Sequence, residues 1–318
     1  MLKGFQNINF RQVLSNNRIL VFIIVLYLLV GIINPGYVTG DNIKIILRNL
    51  SIEGMVVIGM ALLVILGEID LSVGAIMSIS CCFAIYLQPY GVIWGVLGGL
   101  GIGTLAGLVN GIVVIKSNVN SLPVTLGMMG VLNGIVFVIT GSQSVPGKNP
   151  NFILIGDTMI GGIYLVIYIF IALVVLFEFV LQKGYFGRSI MAIGGNRNAA
   201  EYAGLNVNRV RVLTFTLVGL LSSFAGVMTA ARYNIASGHI GSQTALAVIT
   251  AVLIGGISLS GGEGSITKAF FGYLFIISLQ NAMRLLKFHP DLHSIIIGVL
   301  LVIILALDAY SIRKKQFK

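Results

Sequence analysis

The sequence predicts an all-α polytopic membrane protein of about ten transmembrane helices, organised as one transmembrane domain over residues 1–318. Three observations lead there. The 318 residues are 57% hydrophobic and the mean hydropathy is +1.01. Only 9% are charged, against roughly 25% in soluble domains. Apolar runs close to the about 20 residues that cross a bilayer recur along the whole chain, separated by short polar turns. A soluble core cannot absorb that much apolar surface. The 40 glycines fit the same class, because glycine lets helices approach closely in lipid.

Each span follows in order. Arg18 precedes the first, Ile19 to Ile33, and Asn34-Pro35-Gly36 makes the turn after it. Residues 1–18 are polar and basic with no small-residue cleavage site, so the first span is expected to be retained. A second helix runs from about Asp41 to Leu66, and its first half, with Lys44, Arg48 and Asn49, is interfacial or pore-facing. Gly67-Glu68-Ile69-Asp70 interrupts it. Val73 to Leu87 is the third, and glycine-rich Val92 to Ile115, containing Asn110, is the fourth. Leu122 to Thr140 is the fifth, Gly141 to Gly162 the longest outer loop, and Ile163 to Leu181 the sixth. After a polar stretch come Val212 to Ala231, Ala245 to Leu259, Ile266 to Leu286 and Leu292 to Asp308.

The net charge of +10 does not point to nucleic acid, because the positive charge sits in loops and sets topology. With the N-terminus inside, the inner segments hold 14 of the 20 lysines and arginines: three in the first 18 residues, Lys116, five from Lys183 to Arg211, Lys268, and the tail Arg313, Lys314, Lys315 and Lys318. That asymmetry places both termini in the cytoplasm.

The most polar long segment is Lys183 to Arg211. It contains a short helix that Asn198 can cap, that Ala199 and Ala200 start, that carries Glu201 at its third position, and that Gly204 can end. A polar helix held between membrane spans is placed to be gripped from the cytoplasm. An internal repeat flanks it. Val64 to Gly74 matches Val252 to Gly262 at six of eleven positions. Gly-interrupted apolar segments in corresponding positions often mark a translocation path. Both copies fall on the cytoplasmic side, as turns or gates near the inner mouth; two similar Gly/Ser turns without further role remain the alternative.

Chemistry-bearing groups are few. Glu68 and Asp70 could relay protons, or could pair or cap a helix at the membrane boundary, which their position favours. Glu53, Glu178 and Arg284 lie near span ends or amphipathic portions, and that scarcity argues against ion-coupled pumping. Neutral polar residues are commoner inside spans: Thr125, Asn133, Ser222, Ser223, Thr250, Ser278, Gln280 and Asn281. They suit a neutral hydroxylated solute or bond between helices; Thr125, Asn133 and Asn281 are taken as pore-lining. There is no catalytic constellation, no metal set among His239, His289 and His293, and no cofactor motif. Gly147-Lys148-Asn149 lacks the Ser or Thr and the glycine spacing of a phosphate loop. Adjacent Cys81 and Cys82 are packing residues.

Three stretches resemble the permease subunits of bacterial ABC importers for ribose, galactose, xylose, arabinose and the sugar-like autoinducer: GEIDLSVG from Gly67 to Gly74, FGRSIMAIGGNRNAAEYAG from Phe186 to Gly204, and AVLIGGISLSGGEGS from Ala251 to Ser265. Glu68 stands where that family usually has a second glycine. The resemblance implies a multi-pass permease in the bacterial inner membrane, paired with a second copy or a sister permease. It implies cytoplasmic ATPase subunits as the energy source and an extracytoplasmic sugar-binding protein that delivers solute. By the same resemblance Asn196, Arg197, Asn198, Ala199, Ala200, Glu201, Tyr202 and Gly204 form a coupling helix between spans six and seven. Gly67, Glu68, Asp70, Ser72, Gly74, Gly255, Gly256, Ser260 and Gly262 form the repeated gates. A permease for branched-chain amino acids or nucleosides is the nearest alternative. A secondary transporter using Glu68 and Asp70 is a more distant one.

Overall fold

The computed structural model describes residues 18–316. The basic segment 1–17, with its retained-leader expectation, and the tail residue Lys318 lie outside them. Thirteen α-helices are found among the described residues. They are α1 (Arg18–Ile33), α2 (Gly40–Ile65), α3 (Val73–Leu87), α4 (Val92–Ser117), α5 (Ser121–Thr140), α6 (Asn151–Asp157), α7 (Leu165–Lys183), α8 (Tyr185–Gly195), α9 (Arg197–Tyr202), α10 (Val207–Tyr233), α11 (Thr244–Ile254), α12 (Ile266–Leu285) and α13 (Pro290–Gln316).

Local sequence explains the boundaries. Thr39 caps α2 by accepting from the Asn42 N–H, Asn120 caps α5 through the Leu122 N–H, Asn206 caps α10 through the Arg209 N–H, and Ser265 caps α12 through the Lys268 N–H. α4 and α10 stop at left-handed asparagines, Asn118 and Asn234. Two short strand pairs, Val145–Pro146 with Ile235–Ala236 and Met159–Ile160 with Ile163–Tyr164, tie down the long loop between α5 and α7. The fully buried Phe152 of α6 anchors it further.

Among the described residues, six helices are long and apolar enough to cross a membrane: α2, α3 with its short extension to Tyr90, α4, α5, α7 and α10. Three more apolar helices are shorter, Ile19–Ile33, Thr244–Ile254 and Asp291–Ala306. One expected span is corrected. The run from Ala245 to Leu259 is helical only to Ile254, because Gly256 takes φ +87 and turns the chain away from the helix axis. At 11 residues, α11 is about 16 Å long, half a bilayer.

α10 sits at the centre, packed on α4, α3 and α2. The α4–α10 crossing is set by glycines four residues apart, Gly99, Gly103, Gly107 and Gly111. A Cβ on Gly107 would come within 2.7 Å of the Gly219 Cα, so the two backbones touch directly. Side chains exposed on α1, α5 and α7 are apolar, among them Leu28, Val138 and Phe179. That surface suits lipid.

Candidate functional site

The stretch Lys183 to Arg211 forms two helices where one was expected. α8 precedes the short helix and buries Ile190 and Ile193 on one face. α9 is one residue-pair earlier than expected: Asn196, in extended backbone, is its cap and accepts from the Ala199 N–H at 3.0 Å, so Asn198 lies inside the helix and Glu201 is not at its third position. Either asparagine could have capped; the backbone geometry selects the first. The end is as expected. Gly204 takes φ +84 and donates to the Glu201 carbonyl at 2.9 Å, while Leu205 donates to that of Ala200 at 3.1 Å. This double bond is the Schellman closure, which a non-glycine would strain. Ala200 turns inward, whereas Arg197, Asn198, Ala199 and Glu201 are exposed and Tyr202 is 93% exposed.

The same closure ends the helices that run into the two copies of the internal repeat, α2 and α11. At Gly67 (φ +81) the Glu68 N–H bonds to the Leu63 carbonyl; at Gly256 the Ile257 N–H bonds to that of Val252. Gly67 thus corresponds in geometry to Gly256, one residue off the sequence alignment, which pairs it with Gly255. Gly255 packs instead on α12, where a Cβ would lie 2.5 Å from the Lys268 carbonyl oxygen.

The two turns meet. The Gly262 N–H donates to the Ile65 carbonyl at 2.8 Å. A Cβ on Gly194 would fall on that carbonyl, and one on Gly261 would lie 3.0 Å from the Gly67 nitrogen. The end of α8, which leads directly into α9, is therefore wedged between both repeat segments. Beyond its turn, Ser260 donates its N–H to Ser258 Oγ at 3.3 Å. Glu178 of α7 adds a further link by accepting from the Thr267 N–H at the start of α12.

Glu68 is half-buried and Asp70 buried, and the two do what the pairing-and-capping reading expects. Glu68 pairs with Arg211 of α10, with side chains only 12% and 4% exposed. Asp70 is fully buried and accepts from the Ser72 N–H at 2.7 Å, the Ser72 hydroxyl at 2.6 Å and the Asn110 amide at 3.1 Å. All its partners are neutral, and the network fixes the start of α3. There Gly74 meets Gly241: a Cβ on either would strike the other's carbonyl oxygen.

Gly241 belongs to a polar cavity of about 230 Å³ that also involves Glu53, Ser242, Gln243, Thr244, Ala247, Gln280, Arg284 and His293. A second void of about 170 Å³ shares Glu53, Gly241 and Thr244 and adds Asn49 and Arg232. Glu53 lies midway along α2, not near an end, and accepts from the Tyr273 hydroxyl. Arg232 donates to Asn49. Arg48, by contrast, is buried against the loop between α5 and α7, bonded to Gly156 and Asp157 and stacked on Tyr164. The three residues taken as pore-lining lie elsewhere. Thr125 accepts from the Leu71 N–H, Asn281 accepts from Asn42, and Asn133 is half-buried on α5; none lines either cavity.

Residues 42–305 match the family described as branched-chain amino acid transport system / permease component. The chain belongs to this family. The permease is 34% identical to the L-arabinose ABC transporter permease protein of Azospirillum brasilense over 96% of its own length and 91% of the relative's. It is 33% identical to the ribose import permease protein of Bacillus subtilis, covering 92% and 91%. It is 36% identical to a probable ABC transporter permease protein of Escherichia coli, covering 90% and 86%. No solved structure matches it. The permease is a multi-pass membrane subunit of an ABC importer, a transport protein and not an enzyme. Permeases of this class work with ATPase and substrate-binding partners.

Proposed function

We propose that the chain forms the translocation pore of an importer for a monosaccharide or sugar-like solute. The observation that carries this reading is the near full-length similarity to permeases named for L-arabinose and ribose. The family description names branched-chain amino acids instead and supports a second reading. The test is uptake of radiolabelled L-arabinose, D-ribose and L-leucine by cells with and without the gene. Saturable, ATP-dependent uptake of either sugar and none of leucine is expected; uptake of leucine alone would overturn the sugar assignment.

In this reading the chain is one permease domain whose ten expected spans correspond to α1–α5, α7 and α10–α13, with both termini cytoplasmic. α9 is the coupling helix. Separate cytoplasmic ATPase subunits grip it, a second permease copy or a sister permease completes the pore, and an extracytoplasmic binding protein delivers the solute. Movement of α9 reaches the two gates through Gly194 and Gly262, and reaches α10 through the Glu68–Arg211 pair.

Tyr202 is the anchor of that contact, since exposed tyrosines at interface centres contribute about 2 kcal/mol or more when gripped by a partner. Tyr202→Ala is expected to lower uptake by more than about ten-fold while leaving thermal stability of the purified permease unchanged. Recovery of the ATPase subunits on affinity purification should fall in step. Unchanged recovery and uptake would remove α9 from the ATPase contact.

A further inference from the structure

In a chain with 9% charged residues, Glu53, Arg232 and Arg284 converge on one pair of adjoining voids. Glu53 and Arg232 are half-buried and Arg284 is exposed, and ionisable groups that face a cavity between membrane helices often mark solute paths. The larger void also collects polar capacity that the fold does not use. The Tyr273 hydroxyl takes one Glu53 oxygen, and the other has no hydrogen bond among the described residues. The Gln280 amide and the Ser242 hydroxyl likewise bond to nothing among the described residues, and His293 Nε2 is buried without a partner. The His293 nitrogen is shut off from solvent, whereas Glu53 and Gln280 are half-buried and Ser242 is exposed, so their free donors and acceptors face the void and are open to a ligand.

We propose that this cavity is a binding site for the solute in transit, and that it takes a neutral polyhydroxylated molecule; the ligand class rests on the sugar reading above. Hydroxyls can donate to the free Glu53 oxygen and accept from the Gln280 N–H groups, so a polyol satisfies acceptor and donor at once. A branched aliphatic side chain finds no seat, because Ala247 is the cavity's one aliphatic side chain. The volume of about 230 Å³ is below the roughly 300–1,000 Å³ of drug-sized pockets, as a monosaccharide requires. The cavity also communicates with the gates, since its wall at Gly241 lies against Gly74 at the start of α3.

The test is chemical modification of Gln280→Cys in membrane vesicles carrying the whole importer. The native Cys81 and Cys82 are buried and do not compete for the reagent. Before modification the variant should reach the membrane at wild-type abundance, which shows that it folds, and its uptake of L-arabinose or D-ribose should be measurable but reduced a few-fold, because it has lost the amide that donates to the solute. After treatment with a small methanethiosulfonate, uptake should fall by about ten-fold or more with ATP hydrolysis retained. Millimolar concentrations of the transported sugar should slow the labelling, and L-leucine should not. Should Gln280→Cys fail to insert, Ser242→Cys serves the same measurement. Sugar uptake that survives full modification, or labelling that is indifferent to the sugar, overturns the site while leaving the importer assignment intact. Protection by leucine together with leucine uptake overturns the sugar reading and the ligand class, but keeps the cavity as the place of binding.

Discussion

Gly204→Pro is expected to abolish uptake while the permease still inserts and accumulates in the membrane. Gly204 holds φ +84, a conformation that proline, fixed near −65°, cannot adopt. The substitution also deletes the N–H that bonds to the Glu201 carbonyl. It further disfavours the helical backbone of Ala203, which has ψ 3. α9 has only six residues, so loss of its Schellman closure unwinds much of it and moves the start of α10. The surroundings of Gly204 are open, so the fault stays at the surface and does not reach the packed core. Gly204→Ala is the graded companion: positive φ costs alanine about 1–2 kcal/mol, so uptake should fall partly. Membrane abundance by immunoblot and initial uptake rates decide the matter. Full uptake by the proline variant would mean that α9 transmits nothing.

The helical frame was legible because apolar runs of membrane length leave little freedom, although the run Ala245 to Leu259 gives a helix of only 11 residues. The terminators at Gly67 and Gly204 were legible too, since glycine adopts positive φ cheaply. What escaped depended on contacts distant in sequence. Asn198 followed by Ala-Ala-Glu imitates a capping signal as well as Asn196 does, and backbone geometry decides between them. The end of α11 at Ile254 follows from Gly256, which the repeat alignment had matched with Glu68 and not with Gly67. Glu53 looked peripheral because its partners Tyr273, Arg232, Gln280 and Arg284 come from α10 and α12, well over a hundred residues away. Gln280 and Asn281 are neighbours with opposite fates: one faces the cavity and the other bonds to Asn42. Single-residue register on an evenly apolar helix has no signal in the sequence.

Arg211→Met is expected to destabilise the permease by about 3–5 kcal/mol, because it strands the Glu68 carboxylate in a buried site. Adding Glu68→Gln should restore most of that stability, since two neutral side chains of similar size leave no buried charge. The thermal midpoint of the detergent-purified protein should therefore drop in the single variant and recover in the double. Function should not recover with it. Glu68 lies in the turn that ends α2, and Arg211 lies one turn into the helix that follows α9. On the proposed reading the ion pair is thus a direct side-chain link between the coupling segment and the gate. With the link replaced by a weak contact, ATP hydrolysis by the assembled importer should persist while solute moved per ATP falls several-fold. A double variant that regains both stability and full uptake would reduce the pair to a packing device. The Gly194–Ile65–Gly262 junction would then be the remaining route from α9 to the gates.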